Sequence, residues 1–258
     1  MNTNRNSTTS EGGNLANIYR QVAPRMSSSR KSALAAGVLY LLTFVSMPIA
    51  FLYAPVLNNP NYIIGPGPDT AVVLGAILEI IVALAGIGTA VALFPVVKRQ
   101  NEGVALGFIG SRVLEAATIF GDVVCLLAVV GLRRAGVGAD ALVTGKALVV
   151  LYGWFRLGQN LMPCVNALLL GYLMYQSRLV PRVLPVLGFI GAPLLIANTI
   201  VVMFGNSGLI YTLTGIGVIP IAVWEFSLGV WLTFKGFKPS AIIQESVITT
   251  PNELLSGA

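Results

Sequence analysis

The sequence predicts an all-α fold: a polytopic membrane helical bundle of six transmembrane helices with both termini cytoplasmic. Three observations carry that prediction. The chain is 55% hydrophobic and 10% charged, with mean hydropathy +0.82, a composition whose natural solvent is lipid. Its apolar residues gather in six runs, each near the roughly 20 residues that cross a hydrocarbon core as a helix. Its basic residues stand at the ends of those runs. With both termini inside, the inner side holds Arg5, Arg20, Arg25, Arg30, Lys31, Lys98, Arg99, Arg178, Arg182, Lys235 and Lys238, against Arg133, Arg134 and Lys146 outside, the asymmetry that sets orientation.

Residues 1–30 are rich in Ser, Thr, Asn and Gly, too polar to bury, and read as a disordered cytoplasmic tail; Met26 is a second candidate start beside Met1. Residues 31–238 form the six-helix domain. The first span, about Ala33 to Leu57, exceeds the 7–15 apolar residues of a signal-peptide core and reads as a retained anchor, with a kink expected at Pro48. Asn58 to Thr70 carries dense turn chemistry. The second span, about Ala71 to Val97, ends in Lys98-Arg99, and a very short turn leads to the third, about Val104 to Leu132, so the two form an antiparallel hairpin. A polar connection, Arg133 to Lys146, precedes the fourth span, about Ala147 to Tyr175. The fifth runs from about Val183 to Phe204 and the sixth from about Leu209 to Phe234. Residues 239–258 read as a polar C-terminal tail.

Six ionisable residues lie inside these runs: Glu79, Arg112, Glu115, Asp122, Arg156 and Glu225. A charge at the centre of a membrane helix costs about 2.5 kcal/mol or more, so such residues turn toward protein or a watery cavity. At about 100° per residue, Arg112, Glu115 and Asp122 share one stripe of the third span, and Arg156, Gln159, Asn160, Pro163 and Asn166 cluster on the fourth. By helix rise, Glu79, Asp122, Arg156 and Glu225 lie roughly 12–15 Å below the outer boundary and form one layer, with Arg112 deeper. Pro163 is expected to break its helix and free carbonyls beside Asn160. Four acids against two arginines leave two surplus negative charges, which protonation or a bound cation would neutralise. The candidate ligand- or proton-binding residues are therefore Glu79, Arg112, Glu115, Asp122, Arg156, Gln159, Asn160 and Glu225.

The chain has no histidine, which removes the commonest general base and the usual zinc and haem ligand; no metal or cofactor is expected. Cys125 and Cys164 lie in apolar runs without CxxC spacing and read as packing residues. The net charge of +6 belongs to segment ends and sets orientation, so no nucleic-acid partner is expected. Gly103, Gly107 and Ser111 repeat small residues every four positions, a pattern of close helix packing within the chain. Trp154 and Trp224, beside Arg156 and Glu225, are candidates to line a cavity, and Trp231 reads as an interface anchor.

Three strings carry a resemblance: Arg30-Lys-Ser-Ala-Leu-Ala-Ala-Gly-Val-Leu-Tyr-Leu-Leu-Thr, Ser111-Arg-Val-Leu-Glu-Ala, and Gly171-Tyr-Leu-Met-Tyr-Gln-Ser-Arg-Leu-Val-Pro-Arg-Val-Leu-Pro, continued by Gly188-Phe-Ile-Gly-Ala-Pro. With them the chain resembles the bacterial membrane family filed as domain of unknown function 4386, over about Arg30 to Lys238. The resemblance implies a multi-pass protein of the bacterial inner (plasma) membrane. It also implies that Arg112, Glu115 and the Arg178 to Arg182 turn belong to the family pattern, and it implies no activity.

Three functions fit the residues. The first is a polar intramembrane pocket that binds a small ligand, ion or proton, as in a transporter or sensor. The second is an intramembrane enzyme acting on a lipid or isoprenoid with Glu115 or Asp122 as acid or base. The third is a structural protein whose buried charges only fix helix packing.

Overall fold

The computed structural model describes residues 27–65, 68–204 and 207–238, with side chains in the last stretch from 217 onward. Of the tails expected at 1–30 and 239–258, residues 1–26 and 239–258 lie outside the described residues, whereas Ser28 to Arg30 do not continue a tail but open the first helix. The described residues form helices and turns and no strand. In chain order the helices are α1 (Ser28–Thr43), α2 (Ile49–Leu57), α3 (Thr70–Val97), α4 (Glu102–Arg134), α5 (Leu142–Ser177), α6 (Val183–Met203) and α7 (Ser207–Phe234). Counting α1 and α2 together as one span, six helical stretches among the described residues are long and apolar enough to cross a bilayer, and the chain is a multi-pass membrane protein.

Local chemistry fixes the helix ends. The Ser27 hydroxyl caps α1 by accepting from the Arg30 amide, and the Asn101 side chain caps α4 by accepting from the Val104 amide. Each cap satisfies an amide that the first turn leaves unpaired. The chain leaves α7 through Gly236 at φ +72°, the left-handed conformation that glycine adopts without a Cβ penalty.

The first span does more than kink. A 3-10 turn at Phe44–Ser46 separates α1 from α2, because Pro48 has no amide to donate and its ring crowds the carbonyl four residues back. Pro163, by contrast, leaves α5 continuous, which corrects the expectation of a broken fourth span. A proline inside a packed membrane helix costs one hydrogen bond, and neighbouring helices supply the remaining support.

The helices pack as a ring in chain order. Each of α3 to α7 packs on the next, and α1 closes the circle by packing on both α3 and α7. At Gly37 of α1, an added Cβ would lie 2.5 Å from the Thr233 amide nitrogen and 2.8 Å from the Gly229 carbonyl oxygen, so only glycine permits α7 to come this close. Nearby, the Arg30 guanidinium donates to the carbonyls of Leu232 (2.8 Å) and Thr233 (2.7 Å), satisfying terminal acceptors of α7 and complementing its negative dipole end. The described chain thus starts and finishes at one end of the bundle.

At the opposite end Asp69, just before α3, receives Arg133 Nη1, Arg134 Nε and the Tyr62 hydroxyl, each at 2.9 Å. Two of the three basic residues that ran against the charge asymmetry are therefore paired locally with one shared carboxylate, which offsets one of their two positive charges. The hydrogen bond from Arg134, aided by those of its neighbours, holds the Asp69 carboxyl below its ordinary range.

Two large apolar cores result, with a small cluster of Ala83, Ala116 and Ile119 between them. One, at the end where α1 starts, includes Tyr40, Leu93, Phe108, Leu173, Trp224 and Leu228; the other, toward the Asp69 end, includes Tyr53, Val72, Leu126, Val129 and Tyr152. Along α3, α4 and α5 the ionisable residues fall between the two, so a polar layer crosses the waist of the bundle.

A polar cavity at the waist of the bundle

The cavity at this waist measures about 260 Å³ and receives side chains from every span. The break between α1 and α2 contributes Thr43, Phe44 and Ser46, and Leu195 and Ile221 come from α6 and α7. Seven of the eight residues predicted from sequence line it: Glu79, Arg112, Glu115, Arg156, Gln159, Asn160 and Glu225. Asp122 does not.

The charged residues separate into two clusters. In the first, buried Arg112 donates from Nη1 to Glu115 (2.9 Å) and from Nη2 to both Glu225 (2.8 Å) and the Tyr40 hydroxyl (3.0 Å). Its guanidinium also lies 5.2 Å from the Tyr40 ring centroid, a contact that gains strength where water is excluded. Asn166 Nδ2 donates to Glu115 at 2.7 Å, and the Asn166 carbonyl in turn accepts from the Ser111 hydroxyl. Four spans meet here: α1, α4, α5 and α7.

The second cluster lies toward the Asp69 end. Glu79 is 3% exposed and accepts from Arg156 Nη1 (3.0 Å) and from the Tyr53 hydroxyl (2.9 Å). Arg156 remains 39% exposed along its side chain, because it reaches across open cavity rather than through packed protein. Pro163 adds polarity, since the Gln159 carbonyl one turn before it loses its helical donor. Each cluster, with Asp122 assigned to the second by its electrostatic contact with Glu79 and Arg156, holds one arginine and two acids. The surplus of two negative charges is thereby divided, one to each.

A family model described as "Domain of unknown function (DUF4386)" matches residues 35–236. The chain belongs to the DUF4386 family. No curated protein and no solved structure matches it. The matched stretch of this DUF4386 protein contains both clusters and the whole cavity lining.

Three expectations about the site are corrected in the DUF4386 chain. Glu225 does not share a layer with Glu79 and Arg156 but pairs with Arg112. Counted from the end where α1 starts, Arg112 is ten residues into α4 from Glu102, and Glu225 is nine residues from the close of α7 at Phe234. Both therefore sit about 14–15 Å deep by helix rise; depth reckoned from the opposite end of α7 placed Glu225 too far from its partner. Asp122 shares the helix stripe of Arg112 and Glu115, but it is two to three turns along and packs behind the cavity wall. Neither Trp154 nor Trp224 lines the cavity: Trp154 is 53% exposed and turns outward, whereas Trp224 is buried in the larger core.

Sequence reasoning passed over Tyr40 and Tyr53, the hydroxyls that reach Arg112 and Glu79. Their signal was present, because a tyrosine in the middle of a span must find a partner for its hydroxyl once buried. Gly107 packs against Leu169 at 3.6 Å from a notional Cβ and Ser111 bonds Asn166, so this stripe serves contact between α4 and α5. Cys125 and Cys164 are buried free thiols.

Proposed function

We propose that the central cavity binds a small cationic solute and that the protein transports or senses it across the membrane. The observation that carries this reading is the charge of the lining, where Glu79, Glu115 and Glu225 outnumber Arg112 and Arg156. A low-polarity surround strengthens any charge imbalance, so an occupant carrying one positive charge completes the lining. The volume suits a solute of few heavy atoms, since drug-sized ligands need about 300–1,000 Å³. Among the described residues no three His, Cys, Asp or Glu side chains converge as a transition-metal ion requires, which favours an organic ammonium over such a metal. The enzyme reading draws less support, because Glu115 is engaged by Arg112 and Asn166 and Asp122, the other candidate acid, is not among the residues that line the cavity. A purely structural role accounts for the pairing of Arg156 with Glu79 but not for the open polar space that both residues line.

In this reading the end that carries Arg30, Lys98, Arg99, Arg178, Arg182, Lys235 and Lys238 faces the cytoplasm of a bacterial inner membrane. Purified protein in nanodiscs, heated with increasing methylammonium, tests the cavity. Stabilisation that grows with the logarithm of concentration is expected, about 2.7 kcal/mol at a hundredfold excess over Kd, and it should vanish in Glu225→Gln. An identical response in wild type and variant, or none in either, would reject the cationic solute. Methylammonium uptake into proteoliposomes then separates carrier from sensor.

A further inference from the structure

Asp122 stands behind the cavity wall with 0% of its surface exposed, and neither carboxyl oxygen meets a hydrogen-bond donor. The groups that act on it across space are Glu79 from α3, Arg156 and Tyr152 from α5, and Cys125 on its own helix. Of these only Arg156 is cationic, and it is bonded to Glu79. A carboxylate shut off from solvent, with no donor and with its one nearby cation bonded elsewhere, is among the costliest groups a protein interior can hold, and a bound proton removes most of that cost. Arg156 has the freedom to serve another partner, since it grips Glu79 through one nitrogen and borders open space.

We propose that Asp122 is a proton-binding site coupled to the cavity through Arg156: Asp122 holds a proton while Arg156 lies on Glu79, and passes it to Glu79 when Arg156 turns to Asp122. The exchange is balanced. The O–H bond of Asp122 breaks, an O–H bond forms on Glu79, and the cluster keeps one arginine, one carboxylate and one neutral acid throughout. It requires no ligand in the cavity, so it stands or falls separately from the binding of methylammonium. Where a cation occupies the cavity it repels Arg156 toward Asp122; the Asp122 O–H bond then breaks and the proton leaves to bulk water through the cavity, which gives the site the means to link solute binding to proton release.

The sequence makes the test direct, because its aspartates are Asp69, Asp122 and Asp140 alone. Protein labelled with carbon-13 at the aspartate carboxyl and placed in nanodiscs yields a resonance for each, and Asp122 is assigned by its loss in Asp122→Asn. Should that variant fail to fold, Asp69→Asn and Asp140→Asn, at the bundle end, assign it by elimination. At neutral pH the Asp122 resonance is expected in the protonated position while the other two are ionised. In Glu79→Gln, where Arg156 loses its carboxylate, the Asp122 resonance should move to the ionised position; in Arg156→Gln it should stay protonated. An ionised Asp122 in the wild type overturns the proton site, and an Asp122 still protonated in Glu79→Gln overturns the coupling through Arg156.

Discussion

Arg112 joins Glu115 on its own helix to Glu225 on α7 and Tyr40 on α1, and its side chain is almost fully enclosed. Removing such a charge strands its partners, which in buried pairs costs about 3–5 kcal/mol. Arg112→Met is expected to destabilise the protein by that amount in detergent unfolding, and adding Glu225→Gln should recover part of the loss, because one stranded carboxylate becomes neutral. Strictly additive effects would show that the contact carries no coupling energy. Asp69 behaves differently, being held by Arg133, Arg134 and Tyr62 near the bundle's end. Its carboxyl sits below the ordinary range, so the stability it contributes is complete above the unfolded-state pKa and is lost as pH falls through the folded one. The melting temperature of wild type should exceed that of Asp69→Asn at neutral pH, and the gap should close in acid. A gap that widens on acidification would contradict the assignment.

The helices themselves were legible to differing degrees, and the differences have physical causes. The polar stripes of α4 and α5 follow the 3.6-residue period, so Arg112 with Glu115, and Arg156 with Gln159 and Asn160, were visible as sets facing inward. Which acid answers which arginine was not, because that depends on the vertical offset of α7 against α4, and apolar runs blur into their flanks by several residues. Contacts to Arg30 and Gly37 set that offset, and neither announces it in sequence. Gly37 gives the corresponding test. Gly37→Leu would drive a side chain into the backbone of Thr233 and Gly229 and should separate α1 from α7. Overpacking of this kind commonly costs about 1–3 kcal/mol, and here it should lower both melting temperature and folded yield, whereas Gly110→Leu, with open space around it, should leave both near wild type.

For the whole molecule, the ring in chain order places both described ends of the chain at one end of the bundle, the end that carries most of the basic residues and that the proposed orientation puts in the cytoplasm. The native thiols are buried, so a single added cysteine reports sidedness cleanly. Asn61→Cys is expected to react with a membrane-impermeant maleimide on intact cells, and Arg99→Cys only after permeabilisation; the reverse pattern would invert the orientation. The closed ring also bears on how the protein is made. Tyr40 enters the membrane early, Arg112 in mid-synthesis and Glu225 almost last. Until α7 is inserted, Arg112 lacks one of its two anionic partners and α1 lacks one of its two neighbours. An interrupted translation product would therefore display an unfinished, charge-bearing seam to the surrounding lipid, a distinguishing mark that membrane proteases can use to sort incomplete chains from finished ones.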